Sequence, residues 1–155
     1  MKISEDERPI LAAEARALAE HLDEPVARDR FEQIASSAED GEVPESLADS
    51  VGALTSLGLE TGRVRSVHGA PGVRAMIALW KRTPQGEAAA GELDELNTAL
   101  TALRGLPVES VRVAASAPGS YSLTVTAGDY EIRLLVDRSG VRLGSINVGG
   151  GGVGE

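Results

Sequence analysis

Apolar positions in the first sixty residues recur at helical spacing. Leu11, Ala15, Leu18 and Leu22 fall at i, i+4, i+7 and i+11, which places one stripe along a helix over about residues 6–22. Ser4-x-x-Glu7 is a capping-box pattern just upstream, and Pro9 fits an early helical position, where its missing N–H leaves no bond unmade. Asp23 and Pro25 restart the chain as an N-cap and an early-helix proline. Ala27, Phe31, Ile34 and Ala38 repeat the spacing, and Gly41 supplies the left-handed cap that ends this second helix. A third opens at Pro44, carries Leu47, Val51, Leu54 and Leu57 on one side, and stops near Gly58. Three short amphipathic helices joined by tight turns predict a small helical bundle.

Residues 59–70 are less regular. Val64 and Val67 suit a short strand or an extended linker, punctuated by Gly62 and Gly69. Pro71 starts a fourth helix, in which Val73, Met76, Ile77 and Trp80 follow i, i+3, i+4 and i+7. Thr83-Pro84 is a stop and a restart, because a residue before proline leaves the α region and threonine caps well. The fifth helix runs to about Arg104, with Leu93, Leu96, Leu100 and Leu103 in phase and Gly105 as its cap. Helices four and five are expected as an antiparallel pair.

After Gly105 the period changes from 3.6 to 2. Val111, Val113 and Ala115 alternate with polar residues, and so do Tyr121, Leu123, Val125 and Ala127. Ala127-Gly128-Asp129 is a hairpin turn, after which Ile132, Leu134 and Val136 continue the inward set. Asp137-Arg138-Ser139-Gly140 is a second turn, of the type I plus glycine-bulge kind. The last strand breaks alternation near Gly144, which marks a bulge or an edge. Connections this short make an antiparallel meander of three or four strands, with the long fifth helix as the natural cover for its apolar face.

The expected class is therefore α+β: an N-terminal three-helix region, then a helical hairpin, then a C-terminal antiparallel three- to four-stranded meander. Residues 1–60 form an acidic helical subdomain, residues 61–148 the hairpin and meander, and residues 149–155 a flexible glycine-rich tail.

Charge sharpens the division. The chain of 155 residues carries a formal −9, yet residues 1–60 hold fifteen acidic side chains against five basic ones. Residues 61–85 reverse this, with Arg63, Arg65, Arg74, Lys81 and Arg82 and no acid. A charge run of this kind is ordinarily a solvated face or is paired within the fold; the sharper reading makes these five residues contacts for an acidic partner. An acidic whole disfavours nucleic acid and anionic lipid at long range.

The chemistry on offer is thin. With no cysteine there is no disulfide, thiolate metal site, iron–sulfur cluster or cysteine nucleophile. No apolar run reaches the roughly 20 residues of a membrane span, and the acidic start lacks the regions of a signal peptide. His21 lies among Glu20, Asp23 and Glu24, but these fan around a helix end instead of converging, and a helix C-terminus already favours a cation there. His68 with Ser66 could suggest a base and a nucleophile, but a triad also needs a fixed orienting acid and an oxyanion hole, and no strand-turn-helix elbow surrounds this serine. His68-Gly69-Ala70-Pro71-Gly72 before a helix could hold an anion with Arg65 and Arg74, without the lysine and glycine spacing of a phosphate loop. Trp80, in phase with its helix's apolar stripe, reads as core, with an interface anchor as the alternative.

No catalytic constellation, metal site or cofactor motif emerges. The expectation is a non-enzymatic, cytoplasmic protein–protein interaction module, an adaptor, chaperone-like protein or regulatory subunit. It would bind another protein, neither nucleic acid nor membrane, and its sheet edge is where copies of the chain could pair. Two alternatives stand beside it: an acidic, immunity-like antagonist of a basic protein, whose binding would be salt-dependent, and a binder of a small anionic ligand.

Overall fold

The computed structural model describes residues 1–138 and 140–149. The tail expected to be flexible lies almost wholly outside them, as does Ser139 of the last turn. Five helices precede a four-stranded antiparallel sheet: α1 (Arg8–Ala19), α2 (Pro25–Asp40), a 3₁₀ turn (Glu45–Leu47), α3 (Ala48–Glu60), α4 (Arg63–Trp80), α5 (Pro84–Thr101), β1 (Val108–Ala117), β2 (Ser120–Ala127), β3 (Tyr130–Asp137) and β4 (Gly140–Val148). This is the α+β class expected, with helices first and a meander last. The chain divides into two compact units, Met1–Ala88 and Ala89–Glu155, the division falling inside α5.

In the first unit α1 pairs with α2, α3 pairs with α4, and α1 also meets α3 and α4. Leu11, Ile34, Val43, Val51, Val64, Met76 and Leu79 are the centre of its core. Half of the capping box forms: the backbone N–H of Ser4 donates to Glu7 Oε2 at 2.8 Å, while the Glu7 N–H bonds the Ser4 carbonyl and not its side chain. Helix α1 is shorter than its stripe predicts, because the N–H groups of His21 and Leu22 bond three residues back and tighten the last turn. Glu24, not Asp23, caps α2; its extended backbone lets the carboxylate accept from the Ala27 N–H at 2.9 Å. Gly41 ends α2 in the left-handed conformation, as expected.

The largest departure from expectation is residues 59–70. There is no strand or linker here: α3 runs on through Gly58 to Glu60, Gly62 turns the chain, and α4 begins at Arg63. Gly58 is buried in α3 because Val64 crosses it; a Cβ there would lie 2.7 Å from Val64 Cγ2. Gly69 interrupts α4 with φ 65° and ψ −160°, a conformation open essentially to glycine alone, and Pro71 opens the second stretch. The two glycines read as strand boundaries are thus a helix start and a helix kink. The buried stripe of α4 is Val64, Gly72, Ala75, Met76 and Leu79, so Ile77 is exposed and Trp80 only half-buried. Thr83 is buried and caps α5 as expected, donating to the Trp80 carbonyl at 2.7 Å and accepting from the Gly86 N–H.

In the second unit the strands pair in the order β1-β2-β3-β4. Val113, Leu123, Leu134 and Leu143 stand abreast, and so do Val111, Val125, Ile132 and Ile146, which makes one face apolar. The register shifts on β4 between Leu143 and Ser145, leaving Gly144 as the bulge anticipated from broken alternation. Leu96 of α5, with Leu100 and the following Leu103, packs on Ile132, Leu134, Leu123, Val141 and Leu143. The fifth helix therefore covers the centre of the apolar face, while Leu93 stays exposed.

Candidate functional site

Two of the five basic residues singled out above end on buried carboxylates. Glu14 lies on the apolar side of α1, three residues after Leu11 and four before Leu18, and is only 3% exposed. Its Oε2 accepts from Arg63 Nε at 2.9 Å and its Oε1 accepts from His68 Nε2 at 2.9 Å. Each carboxylate oxygen thus holds a donor from the first half of α4, which locks α4 against α1. The guanidinium of Arg63 is half-exposed, whereas His68 is largely covered.

Glu7 repeats the device at the start of α1. Arg82, just past α4, donates through Nη2 to Glu7 Oε2 at 2.6 Å. Burial pushes the Glu7 carboxyl up, but the Ser4 backbone N–H, the Arg82 guanidinium and the Ser4 hydroxyl together outweigh it and hold the group below its ordinary value. A charged, hydrogen-bonded carboxylate at a helix start also complements the helix dipole.

Arg65, Arg74 and Lys81 are exposed, so the strip divides into two internally paired and three solvated cations. His21 donates through Nδ1 to the Ala17 carbonyl at 2.7 Å, the helix-end role expected of it. Ser66 is exposed, and among the described residues no hydrogen bond joins it to His68, whose Nε2 is held by Glu14. Sequence reasoning missed Glu14 as a site residue. Its signal was present, since an acid on the buried side of an amphipathic helix requires a partner.

Helix α1, Leu54, Leu57 and Gly58 of α3, and Thr61 and Arg63 beyond it border a groove of about 230 Å³ beside the Glu14 cluster. In the second unit the notable feature is an edge. Among the described residues strand β1 pairs only with β2, and all ten of its residues are exposed. Val111 is 59% and Val113 65% exposed, and Tyr121 beside them on β2 is 48% exposed. The apolar face that α5 covers over β3 is bare here.

No family model matches the chain, and neither the curated proteins nor the solved structures compared with it give a match. Among the described residues no helix is long and apolar enough to cross a membrane.

Proposed function

We propose that the protein is a non-enzymatic interaction module whose partner is a protein that adds an extended segment to β1. The observation that supports this reading is the exposed ten-residue edge with bare valines on one face. An unpaired edge offers a row of backbone donors and acceptors, and proteins usually blunt long edges with charge, proline or a cover. Strand β1 carries one acid, Glu109, one base, Arg112, and no proline. In strand addition the main chain supplies affinity and alternate side chains supply selectivity. The matching segment is accordingly extended, apolar at alternate positions and without a marked charge.

This reading differs from the salt-dependent antagonist in what carries the contact. Arg63 and Arg82 are engaged within the fold, which leaves Arg65, Arg74 and Lys81 for an acidic partner. The test is a pull-down from native lysate at low and high salt with three proteins: the natural chain, Val111→Lys/Val113→Lys, and Arg65→Glu/Arg74→Glu. The expected result is one stoichiometric partner held at both salts, lost with the lysine pair and retained with the glutamate pair. A partner released by salt and lost with the glutamate pair would overturn the sheet-edge reading in favour of a charge-led contact.

A further inference from the structure

We propose that two copies of the chain pair antiparallel through β1, about a two-fold axis at Val113. The proposal rests on the strand-addition reading of this edge and names its occupant. The edge calls for a segment that is extended, apolar at alternate positions and nearly neutral, and β1 itself is such a segment. A strand paired with its own copy is an isologous contact, the commonest way identical chains close into a dimer.

Few registers are open to it. Side chains directly opposite one another lie on the same face of a sheet. Matching odd positions to even ones would set the apolar face of one copy beside the polar face of the other, so the axis passes through a residue. Toward β2 the register of β1 shifts at Glu109 and at Ser116, which leaves residues 110–115 as the regular stretch. Centring on Val111 or on Ala114 pairs only three of those residues with the second copy. Centring on Arg112 or on Val113 pairs five. The first of these sets two Arg112 side chains against each other, and like charges directly opposite destabilise a sheet. Val113 remains.

The sizes along β1 suit that register. Val111 and Arg112 precede Val113, and Ala114 and Ala115 follow it. Val111 then lies opposite Ala115 and Arg112 opposite Ala114, large against small, twice over by symmetry. Tyr121 stands beside Ala115 on β2, with its ring exposed. The short Ala115 side chain lets Val111 of the second copy approach that ring, while Val113 meets its own copy. The three exposed apolar side chains at this edge thus gain neighbours in one contact.

The chain contains no cysteine, so single-cysteine variants report the register by oxidative cross-linking. Val113→Cys sets its two Cβ atoms about 5 Å apart, whereas Val111→Cys leaves them four residues apart along the strand, about 13 Å. Mild oxidation should link Val113→Cys about tenfold faster or more. Sedimentation equilibrium of the natural chain should give a dimer with a dissociation constant of about 1–100 µM, little changed by salt. Ala114 is exposed and faces Arg112 of the second copy, so Ala114→Glu should tighten the dimer about two- to thirtyfold and Ala114→Arg should loosen it by as much. A chain monomeric to about 300 µM, a dimer that survives Val111→Lys/Val113→Lys, equal linking of the two cysteine variants, or effects of one sign from both Ala114 variants would each overturn the pairing. A monomeric chain whose foreign partner is still lost with the lysine pair would refute self-pairing alone. A foreign partner kept by the lysine pair would refute strand addition by another protein.

Discussion

The buried Glu14 junction makes a quantitative prediction about what holds α1 to α4. Glu14→Gln keeps the shape of the side chain but leaves a single acceptor oxygen for two converging donors, Arg63 Nε and His68 Nε2. One donor must then face the amide NH₂. Arg63 is half-exposed and can turn to water, so its share is no more than a surface pair, about 0.2–1 kcal/mol. His68 is only 17% exposed, and its hydrogen bond to a charged acceptor carries about 1.5–3 kcal/mol. The expected cost is about 2–3 kcal/mol. In a unit of this size, at about 4–8 °C for each kcal/mol, melting should fall by roughly 8–24 °C. Exchanging the pair for apolar groups, Glu14→Met with His68→Leu, removes donor and acceptor together and should come close to neutral. The assay is thermal unfolding of Glu14→Gln beside the four proteins of a double-mutant cycle: natural chain, Glu14→Met, His68→Leu and the double variant. A coupling of about 1–3 kcal/mol is expected; additivity within about 0.5 kcal/mol would refute the reasoning, since it would mean the two residues do not interact.

Two further outcomes follow from other residues. Glu7 is held below its ordinary value, so its unfolded form binds the proton more readily than its folded form. The stability it contributes is complete above the ordinary glutamate range and is lost as pH falls through the lowered folded value. Glu7→Gln retains an oxygen for the Ser4 N–H but no charge for Arg82, so its stability should change less between neutral pH and pH of about 3 than that of the natural chain. Parallel stability curves for the two proteins in chemical denaturation at each pH would count against it. Ile132→Ala empties the centre of the second core and should cost about 2–5 kcal/mol. Hydrogen exchange should show strands β2 and β3 losing protection while α1 and α3 keep theirs; loss in both units together would contradict two separate cores.

The legible parts of this fold are those where local chemistry and tertiary demand agree. The Ser4–Glu7 box, Gly41 and the Thr83 cap satisfy orphan groups at helix ends, a requirement that exists before any packing. The sheet was legible for a similar reason: alternation fixes which residues share a face, and Gly144 broke it where the bulge lies. Residues 59–70 were opaque because glycine speaks ambiguously. Gly62, Gly69 and Pro71 break helices in isolation, yet here Val64 is drawn against the cleared surface at Gly58, and burying it makes a helix of the segment. The site was half-visible. The basic strip was plain in the sequence, but its carboxylate partners stand 49 residues away for Arg63 and 75 for Arg82, a pairing only tertiary structure creates.

That pairing changes where a partner should be sought. Counted along the chain, the acids of residues 1–60 and the bases of residues 61–85 look like two opposed recognition surfaces. Within the first unit, the acid–base pairs Glu7–Arg82 and Glu14–Arg63 join them, and the carboxylates are buried in doing so. A charge held in this way is hydrogen-bonded and expensive to remove, and it has little left to offer a partner at a distance. Of the cations in residues 61–85, Arg65, Arg74 and Lys81 make no ion pair among the described residues, and isolated exposed ion pairs contribute little. Strand β1, by contrast, has backbone groups and valine surface that the described residues of the second unit do not cover. Its contact should therefore be led by hydrogen bonding and burial, and should persist in salt that screens surface charge over about 8–10 Å. On the sheet-edge proposal, the protein's acidity would act chiefly to keep it apart from anionic surfaces, and its selectivity would reside in a nearly neutral strand.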